Sequence, residues 1–226
     1  NLENINDNDS EEEKSYKYIL NGYKRDHFQR NHISRGIEDA NQEDIIIISD
    51  IDEIPNLERL DFSKIKNDLI LFNQKMCYYK FNLYQKNYNW TGSRACKKKN
   101  LLSPQWIRDI KPTKYPIWRL DTYFSKHKYS NINFISDGGW HFSYLNTPEL
   151  IEQKLKSYTH HREYDLNPLG VENIEDRIKN RMSVYNLSSD KRENQFAKGV
   201  KLEIMNSKDL PSYISQNSKK YEEWLA

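Results

Sequence analysis

The stretch IIIISDIDEIP, residues 45–55, restricts the possible folds more than any other part of the chain. Its four consecutive isoleucines are β-branched and form a short, continuous apolar run, which favours a strand. Such a run without polar alternation is typical of a strand buried on both faces in a parallel sheet. A helical pattern precedes it and an acidic loop follows, which is the order of elements in an α/β fold. We therefore predict an α/β fold.

Three carboxylates follow this predicted strand within four positions, at Asp50, Asp52 and Glu53. Like charges this close repel and raise one another's pKa, so we expect a positive partner beside them. Acidic side chains at the carboxyl end of a buried strand lie where open α/β sheets bind ligands. Carboxylate oxygens suit Mg²⁺ or Mn²⁺, which leave other coordination positions for phosphate and water. The alternative is a surface turn or a helix N-terminus, where acidic residues are also favourable.

The composition indicates a folded chain of one domain. The 226 residues have a low mean hydropathy of −0.99, but 13% of them are aromatic, and these rings bury large areas. A net charge of +2 gives no argument for nucleic-acid binding, and no apolar run approaches the length of a membrane span. Cys77 and Cys96 lie in no CxxC or Cys/His cluster, so neither a zinc site nor a disulfide framework is predicted.

Hydrophobic periodicity and turn residues predict further elements along the chain. Thr147-Pro148 has the residue types preferred at a helix N-cap and first helical position. The predicted elements are a helix over 14–37, strands over 69–72, 79–84 and 117–120, a helix beginning at Pro148, and a helix over 171–185. We predict a flexible polar lead-in over 1–13, a main domain over 14–206, and a C-terminal tail over 207–226 that packs on this domain.

Five segments, in chain order, resemble glycosyltransferase family 17. The most specific are the DIDEIP sequence that ends the segment 25–55 and the sequence GGWHFSYL at 138–145. SPQWIR at 103–108, SYTHHREY at 157–164 and IEDRIKN at 174–180 complete the pattern. This resemblance implies a GT-A-like (Rossmann-like) mixed sheet flanked by helices in a single domain. The family's fold normally has a strand–helix unit well before the acidic motif, and we expect this chain to lack that first unit.

The resemblance also implies an activity. It predicts an inverting glycosyltransferase that moves N-acetylglucosamine from UDP-GlcNAc to a glycan hydroxyl with the help of Mn²⁺ or Mg²⁺. The partners would be the nucleotide-sugar donor and a glycan acceptor. We expect a cytoplasmic location in a microbe or virus. Two alternatives remain open: a non-catalytic carbohydrate-binding module whose acidic residues hold Ca²⁺, and a metal-dependent phosphohydrolase.

The resemblance assigns roles to individual residues. Asp50 and Asp52 match the DxD motif, in which the second aspartate binds the metal and the first lies near the ribose or a metal-bound water. Glu53 extends this motif, and the predicted metal site consists of Asp52, Asp50 and Glu53. Inversion also needs a base that takes the acceptor proton. Glu163 in HREY is preferred and Asp137 is the alternative, although either could be a solvated surface carboxylate. The remaining predicted donor-binding residues are Arg94, Arg108, Trp140 and His141.

Overall fold

The computed structural model describes residues 2–58, 60–158, 161–187 and 194–226, without the side chains at 162, 163 and 166. Its helices are α1 Glu11–Asn31, α2 Pro104–Asp109, α3 Pro148–Ser157, α4 His161–Leu166, α5 Val171–Lys179 and α6 Ser212–Gln216. Its strands are β1 Ile45–Ile48, β2 Glu53–Pro55, β3 Leu69–Tyr78, β4 Leu83–Lys97, β5 Ile132–Ile135, β6 Gly139–Ser143 and β7 Glu203–Ile204.

The described strands form one mixed sheet of seven strands with the order β1-β4-β3-β6-β2. β3 pairs antiparallel with β4 and parallel with both β5 and β6, which follow one another along the same side of β3. β7 adds a short antiparallel pairing to β4. Helices flank this sheet, so the α/β prediction is confirmed. The more specific GT-A-like assignment stays a prediction.

The position of β1 differs from the prediction. β1 is not a strand within a parallel sheet: it pairs antiparallel with β4, and it ends the strand order. Ile46 and Ile48 are buried, whereas Ile45 and Ile47 are only partly covered. The strand buried on both faces is β3, whose first four residues are all buried. Four isoleucines fit either position, because a continuous apolar run does not specify how many neighbours a strand has.

Two other predicted strands are wrong in place or extent. The predicted strand over 117–120 is instead an exposed turn, and a short 3-10 helix follows over Leu120–Thr122. Residues 79–82 form the turn between β3 and β4, in which Tyr79 has a φ of 62°. The alternation of apolar and polar residues there is compatible with a tight turn as well as with a strand.

The predicted helices are present with different bounds: α1 begins three residues before its predicted start and ends at Asn31, and a 3-10 helix follows over His32–Ile37. α1 begins after Ser10, whose hydroxyl oxygen accepts a hydrogen bond from the Glu13 N–H. The Glu13 carboxylate in turn accepts from the Ser10 N–H, which completes a capping box. α3 begins at Pro148 as predicted. α5 ends at Lys179 rather than near residue 185. No helix in the described ranges has the length and apolar character needed to cross a membrane.

The hydrophobic core has two main parts, which share the sheet. The first packs α3, α4 and α5 on the carboxyl half of β3, with Ile151, Leu155, Tyr164 and Ile174 buried. The second packs α2 on the amino half of β3 and on β1. β1 belongs to this second part of the core, and the acidic loop between β1 and β2 follows it directly. This arrangement brings α2 and its arginine toward that loop.

The residues after 206 pack on the sheet through a third cluster. Leu210 and Ile214 are buried with Trp140 of β6. The Trp140 indole N–H donates to the Asp209 carbonyl at 2.9 Å, and the Phe81 N–H donates to the Trp224 carbonyl at 2.9 Å. The division of the chain into lead-in, domain and tail stays a prediction.

Candidate functional site

A short turn after β1 positions the acidic residues. The Glu53 N–H donates to the Asp50 carbonyl at 3.0 Å, and the Asp50 N–H donates to Glu53 Oε2 at 3.1 Å. Glu53 then begins β2, where it pairs with His141 of β6. The Asp52 carbonyl accepts from the Phe142 N–H at 2.8 Å. The turn therefore brings Asp50 and Glu53 together and holds Asp52 against β6.

Arg108 of α2 supplies the expected positive partner for two of the three carboxylates. Its Nη1 lies 2.8 Å from Glu53 Oε2, and its Nη2 lies 2.9 Å from Glu53 Oε1 and 2.8 Å from Asp50 Oδ2. The Glu53 side chain is only 1% exposed and that of Arg108 is 10% exposed. Burial lowers the pKa of Arg108, but the hydrogen bonds and charge of Glu53 outweigh it, so the pKa lies above its ordinary value. Arg108 therefore stays charged.

Arg30, at the end of α1, adds a second cation. Its Nη2 lies 3.2 Å from Asp50 Oδ1, and its Nη1 contacts Asp26 at 2.9 Å and the Gln105 amide oxygen at 2.5 Å. Asp50 is thus held between two guanidinium groups. Sequence reasoning missed this role of Arg30. Its i, i+4 spacing from Asp26 was a visible signal, but it indicated only a helix-surface ion pair.

Asp52 belongs to a different group of side chains. Its Oδ1 lies 3.4 Å from His141 Nε2 and its Oδ2 lies 3.7 Å from Lys154 Nζ. Burial raises the pKa of Asp52, but the hydrogen bond and charge of His141 and the charge of Lys154 outweigh it, so the pKa is lowered. Lys154 also lies over the Tyr144 ring, 5.0 Å from its centroid. The three acidic residues therefore form a paired set and a separate carboxylate.

Trp90 of β4 connects these two sets. Its indole N–H donates to Glu53 Oε1 at 2.8 Å, and its ring stacks on the His141 ring with centroids 4.9 Å apart. His141 Nδ1 lies 3.0 Å from Met76 Sδ, so the imidazole is held on both sides. Trp90 was not among the predicted site residues. Its place in an aromatic-rich stretch predicted only a core or strand residue.

A cleft of about 410 Å³ opens beside this cluster. It offers guanidinium groups and aromatic faces in one concave surface, which suits a ligand with both anionic and ring-shaped parts. Its lining residues are Arg30, Tyr88, Asn89, Trp90, Thr91, Arg94, Gln105, Arg108, Asp109 and Pro112.

The other predicted site residues lie apart from the Asp52 set. Arg94 lines the cleft, but its Nη1 donates to the carbonyls of Ile107, Arg108 and Ile110, the last at 2.7 Å, so it holds the end of α2. Burial, followed by the like charge of Arg108, lowers the pKa of Arg94 to about 10. Trp140 packs against the C-terminal residues.

Of the two candidate bases, Asp137 has a described side chain and Glu163 does not. The Asp137 side chain is 81% exposed and pairs with Lys75 at 2.9 Å. Asp137 precedes the amino end of β6, whereas Asp52 contacts the backbone of Phe142, roughly 10 Å further along this strand. Glu163 belongs to α4, and its side chain lies outside the described part of the chain.

The side chains at this site meet the requirements of a divalent metal ion only in part. Among the described residues, no three His, Cys, Asp or Glu side chains converge as a metal-binding group. The Glu53 oxygens are occupied by Arg108, Trp90 and the Asp50 N–H. Asp52, 26% exposed, retains an open side, and Asp50 is 41% exposed. One or two carboxylates are enough where substrate phosphates and water complete the coordination.

Comparison with known proteins confirms the family resemblance. A model of glycosyltransferase family 17 matches residues 6–226. The curated proteins and the solved structures that were searched gave no match. Because the family model covers nearly the whole chain, including the acidic turn, α2, β4 and β6, this protein belongs to glycosyltransferase family 17, a family of enzymes that transfer glycosyl groups.

Proposed function

We propose that this glycosyltransferase moves N-acetylglucosamine from UDP-GlcNAc to a glycan hydroxyl with inversion at the anomeric carbon, assisted by Mn²⁺ or Mg²⁺. The observation that supports this proposal best is the cleft in which Arg30 and Arg108 lie beside Trp90, with Asp52 and His141 across the Trp90 ring. A nucleotide sugar has an anionic diphosphate and flat rings, and this surface offers partners for both.

Arg30 and Arg108 would act on the donor diphosphate through their positive charge, because their Nη atoms already contact side chains and the Gly92 carbonyl. Negative charge builds on this group as the anomeric C–O bond breaks, and guanidinium groups held in place stabilise it without reorganising. Arg108 is fixed by Glu53 and by the Gly92 carbonyl, which its Nη1 contacts at 2.5 Å. Glu53 then acts as a positioning residue for Arg108. This role differs from the metal-binding role that the motif implies.

A divalent ion would be held by Asp52, with Asp50 as the second candidate. When bound, the ion would supply further positive charge for the diphosphate. His141 and Lys154 keep Asp52 ionised, which a metal ligand requires. His141 is itself held in place, because its ring stacks on Trp90 and its backbone pairs with Glu53. Trp90 also donates a hydrogen bond to Glu53.

The base that takes the acceptor proton remains Glu163 or Asp137 in this proposal. α4, which contains Glu163, packs on α3, which contains Lys154, the cation that lies 3.7 Å from Asp52 Oδ2. Asp137 is held by Lys75 before β6 begins. Glu163 is therefore preferred. E163Q and D137N should separate the two, because only loss of the base should abolish transfer while UDP binding remains.

Calorimetry with UDP and UDP-GlcNAc, with and without Mn²⁺, tests the proposal. We expect binding that Mn²⁺ strengthens and that D52N weakens at least about tenfold. D61N, which changes an exposed aspartate of the β2–β3 connection, serves as the matched control and should bind normally.

Two other outcomes would contradict the proposal. Calcium binding without any response to UDP would favour the carbohydrate-binding module. Turnover of simple phosphate esters without transfer to a sugar would favour the phosphohydrolase.

A further inference from the structure

The loop formed by residues 112–126, here called the 112–126 loop, leaves the body of the protein and returns to it at one point. The Lys111 N–H donates to the His127 carbonyl at 2.7 Å, which closes its base. The Trp106 indole N–H of α2 donates to the Lys126 carbonyl at 2.8 Å. A compact loop with adjacent ends has the form of an Ω-loop, and such loops are frequently functional.

The large apolar side chains of the 112–126 loop point into solvent. An Ω-loop ordinarily packs on its own side chains, yet here five of the six large aliphatic or aromatic side chains are exposed, and the sixth, Tyr115, is partly covered. A run of such side chains is unusual on a soluble surface and marks an interaction site. Their exposed fractions are Ile117 72%, Trp118 78%, Leu120 74%, Tyr123 70% and Phe124 90%.

Polar contacts order the 112–126 loop in place of an apolar core. Arg119 forms a two-point ion pair with Asp121, Nε to Oδ1 at 2.7 Å and Nη2 to Oδ2 at 2.8 Å. Lys128 contacts the same carboxylate at 2.8 Å. The Tyr115 ring lies beneath both cations, 5.1 Å from the Arg119 guanidinium carbon and 6.0 Å from Lys128 Nζ. The outward apolar side chains are therefore held on an ordered frame.

The charge of this segment indicates what it meets. Residues 111–128 contain five Lys or Arg and one Asp, a net charge of +4, whereas the whole chain carries only +2. Aromatic and aliphatic side chains beside Lys and Arg are the composition of segments that enter the interface of anionic bilayers. A purely apolar partner surface would offer no counter-charge to Lys111, Lys114 and Lys126, whereas Arg119 and Lys128 already pair with Asp121.

We propose that the 112–126 loop docks on a bilayer surface that contains anionic lipids. Trp118 and Phe124 enter the interface, and the lysines remain at the level of the headgroups. Pro112 at the base of the loop also lines the candidate donor cleft, so docking places that cleft near the bilayer. This docking is independent of the proposed donor and metal.

Co-sedimentation with vesicles tests the proposal. We expect the protein to sediment with vesicles of phosphatidylcholine and phosphatidylglycerol, to do so weakly with phosphatidylcholine alone, and to be released by salt. W118A/F124A should weaken binding about tenfold or more, because two exposed anchors are lost. F28A/L102A changes two side chains that are each 68% exposed elsewhere and should bind like the unmodified protein.

Charge variants give the second arm of this test. K114E/K126E should weaken binding to the anionic vesicles about tenfold, whereas K208E/K219E, which carries the same charge change away from the loop, should weaken it far less. The tryptophan fluorescence of the protein should shift to shorter wavelength on binding, and the shift should be smaller in W118F, because the other four tryptophans remain. Equal sedimentation of W118A/F124A and the unmodified protein would overturn the proposal. So would self-association that is lost in this variant without any vesicle binding, since the loop would then be a protein interface.

Discussion

At the scale of single residues, Arg108 allows two carboxylates to lie together at the site. Glu53 is almost fully buried, and a buried charge is tolerated only when it is paired and hydrogen-bonded. Arg108 meets both Glu53 oxygens and also Asp50, so one side chain offsets most of the repulsion in the acidic turn. This pairing suggests a double-mutant test.

R108M should destabilise the protein by roughly 3–5 kcal/mol, because it leaves Glu53 as an uncompensated buried charge. E53Q/R108M should be less destabilised than the sum of the two single variants, since the orphan charge is then absent. The free energies of unfolding in urea measure this coupling. R119M, which removes a partner of the exposed Arg119–Asp121 pair, is the control and should cost about 0–1 kcal/mol. Strict additivity of E53Q and R108M would contradict the proposed pairing.

Asp52 makes the stability depend on acid pH in a defined direction. Its pKa in the folded protein is below its ordinary value of 3.8, so its contribution is present above about pH 4 and is lost as the pH falls through the lower folded pKa. The difference in unfolding free energy between the unmodified protein and D52N should therefore shrink as the pH falls below about 4. K154M should move this loss to higher pH. A difference that grows on acidification would refute the assignment.

At the scale of elements, the pairing of β2 with β6 assembles the site, because it sets Glu53 opposite His141. Gly139 makes this pairing possible. Its φ is +123°, and a Cβ there would lie 2.0 Å from the Ile54 carbonyl oxygen. Only a glycine allows the two backbones this approach.

G139A should therefore destabilise the protein by more than about 3 kcal/mol, from backbone strain of roughly 1–2 kcal/mol and the added displacement of β2. Two glycines provide matched controls. A Cβ at Gly170 meets no atom within 4 Å, but the φ of this residue is +79° and it is the N-cap of α5, so G170A should show backbone strain and the loss of a favoured N-cap residue without a clash. A Cβ at Gly36 meets no atom within 4 Å and Gly36 has no positive φ, so G36A should be close to neutral. Thermal unfolding of the three variants should rank them in this order, and a G139A variant as stable as G170A would argue against a tight β2–β6 approach.

At the scale of the whole molecule, the C-terminal residues share a cluster with β6. Leu210 and Ile214 are buried beside Trp140, the neighbour of His141 in the site strand. Nothing in this packing resembles a loose appendage, because the contacts are apolar, buried and centred on a sheet residue. The C-terminal segment and the sheet should therefore unfold together.

L210A should lower the unfolding free energy by roughly 2–5 kcal/mol, as expected for a buried leucine. Unfolding should remain a single transition in which tryptophan fluorescence and far-ultraviolet circular dichroism coincide. L102A, at a leucine that is 68% exposed, should change stability by less than about 0.5 kcal/mol. An early transition confined to the C-terminal segment would show that it is a separate unit.

Local patterns determined several features of this protein. The spacing of apolar residues predicted α1, the Thr147-Pro148 pair predicted the start of α3, and the run before Asp50 predicted a strand. The DIDEIP and GWHFSY sequences identified the family. These features were readable because helix periodicity, capping and strand propensity involve neighbours in the chain. The acidic turn itself also indicated that a positive partner was needed.

Only the tertiary structure decided which side chains meet. Asp50 is joined to residues 20 and 58 positions away, and Glu53 to Arg108, 55 positions away. The separation of Asp52 from its two acidic neighbours, the role of Trp90 and the use of Arg94 to hold the end of α2 all depend on how β1, β2, β4 and β6 share one sheet. No local period specifies strand order, because it depends on contacts between segments distant in the chain. The motif therefore determined the residue types of the site, and the packing of the sheet determined their partners.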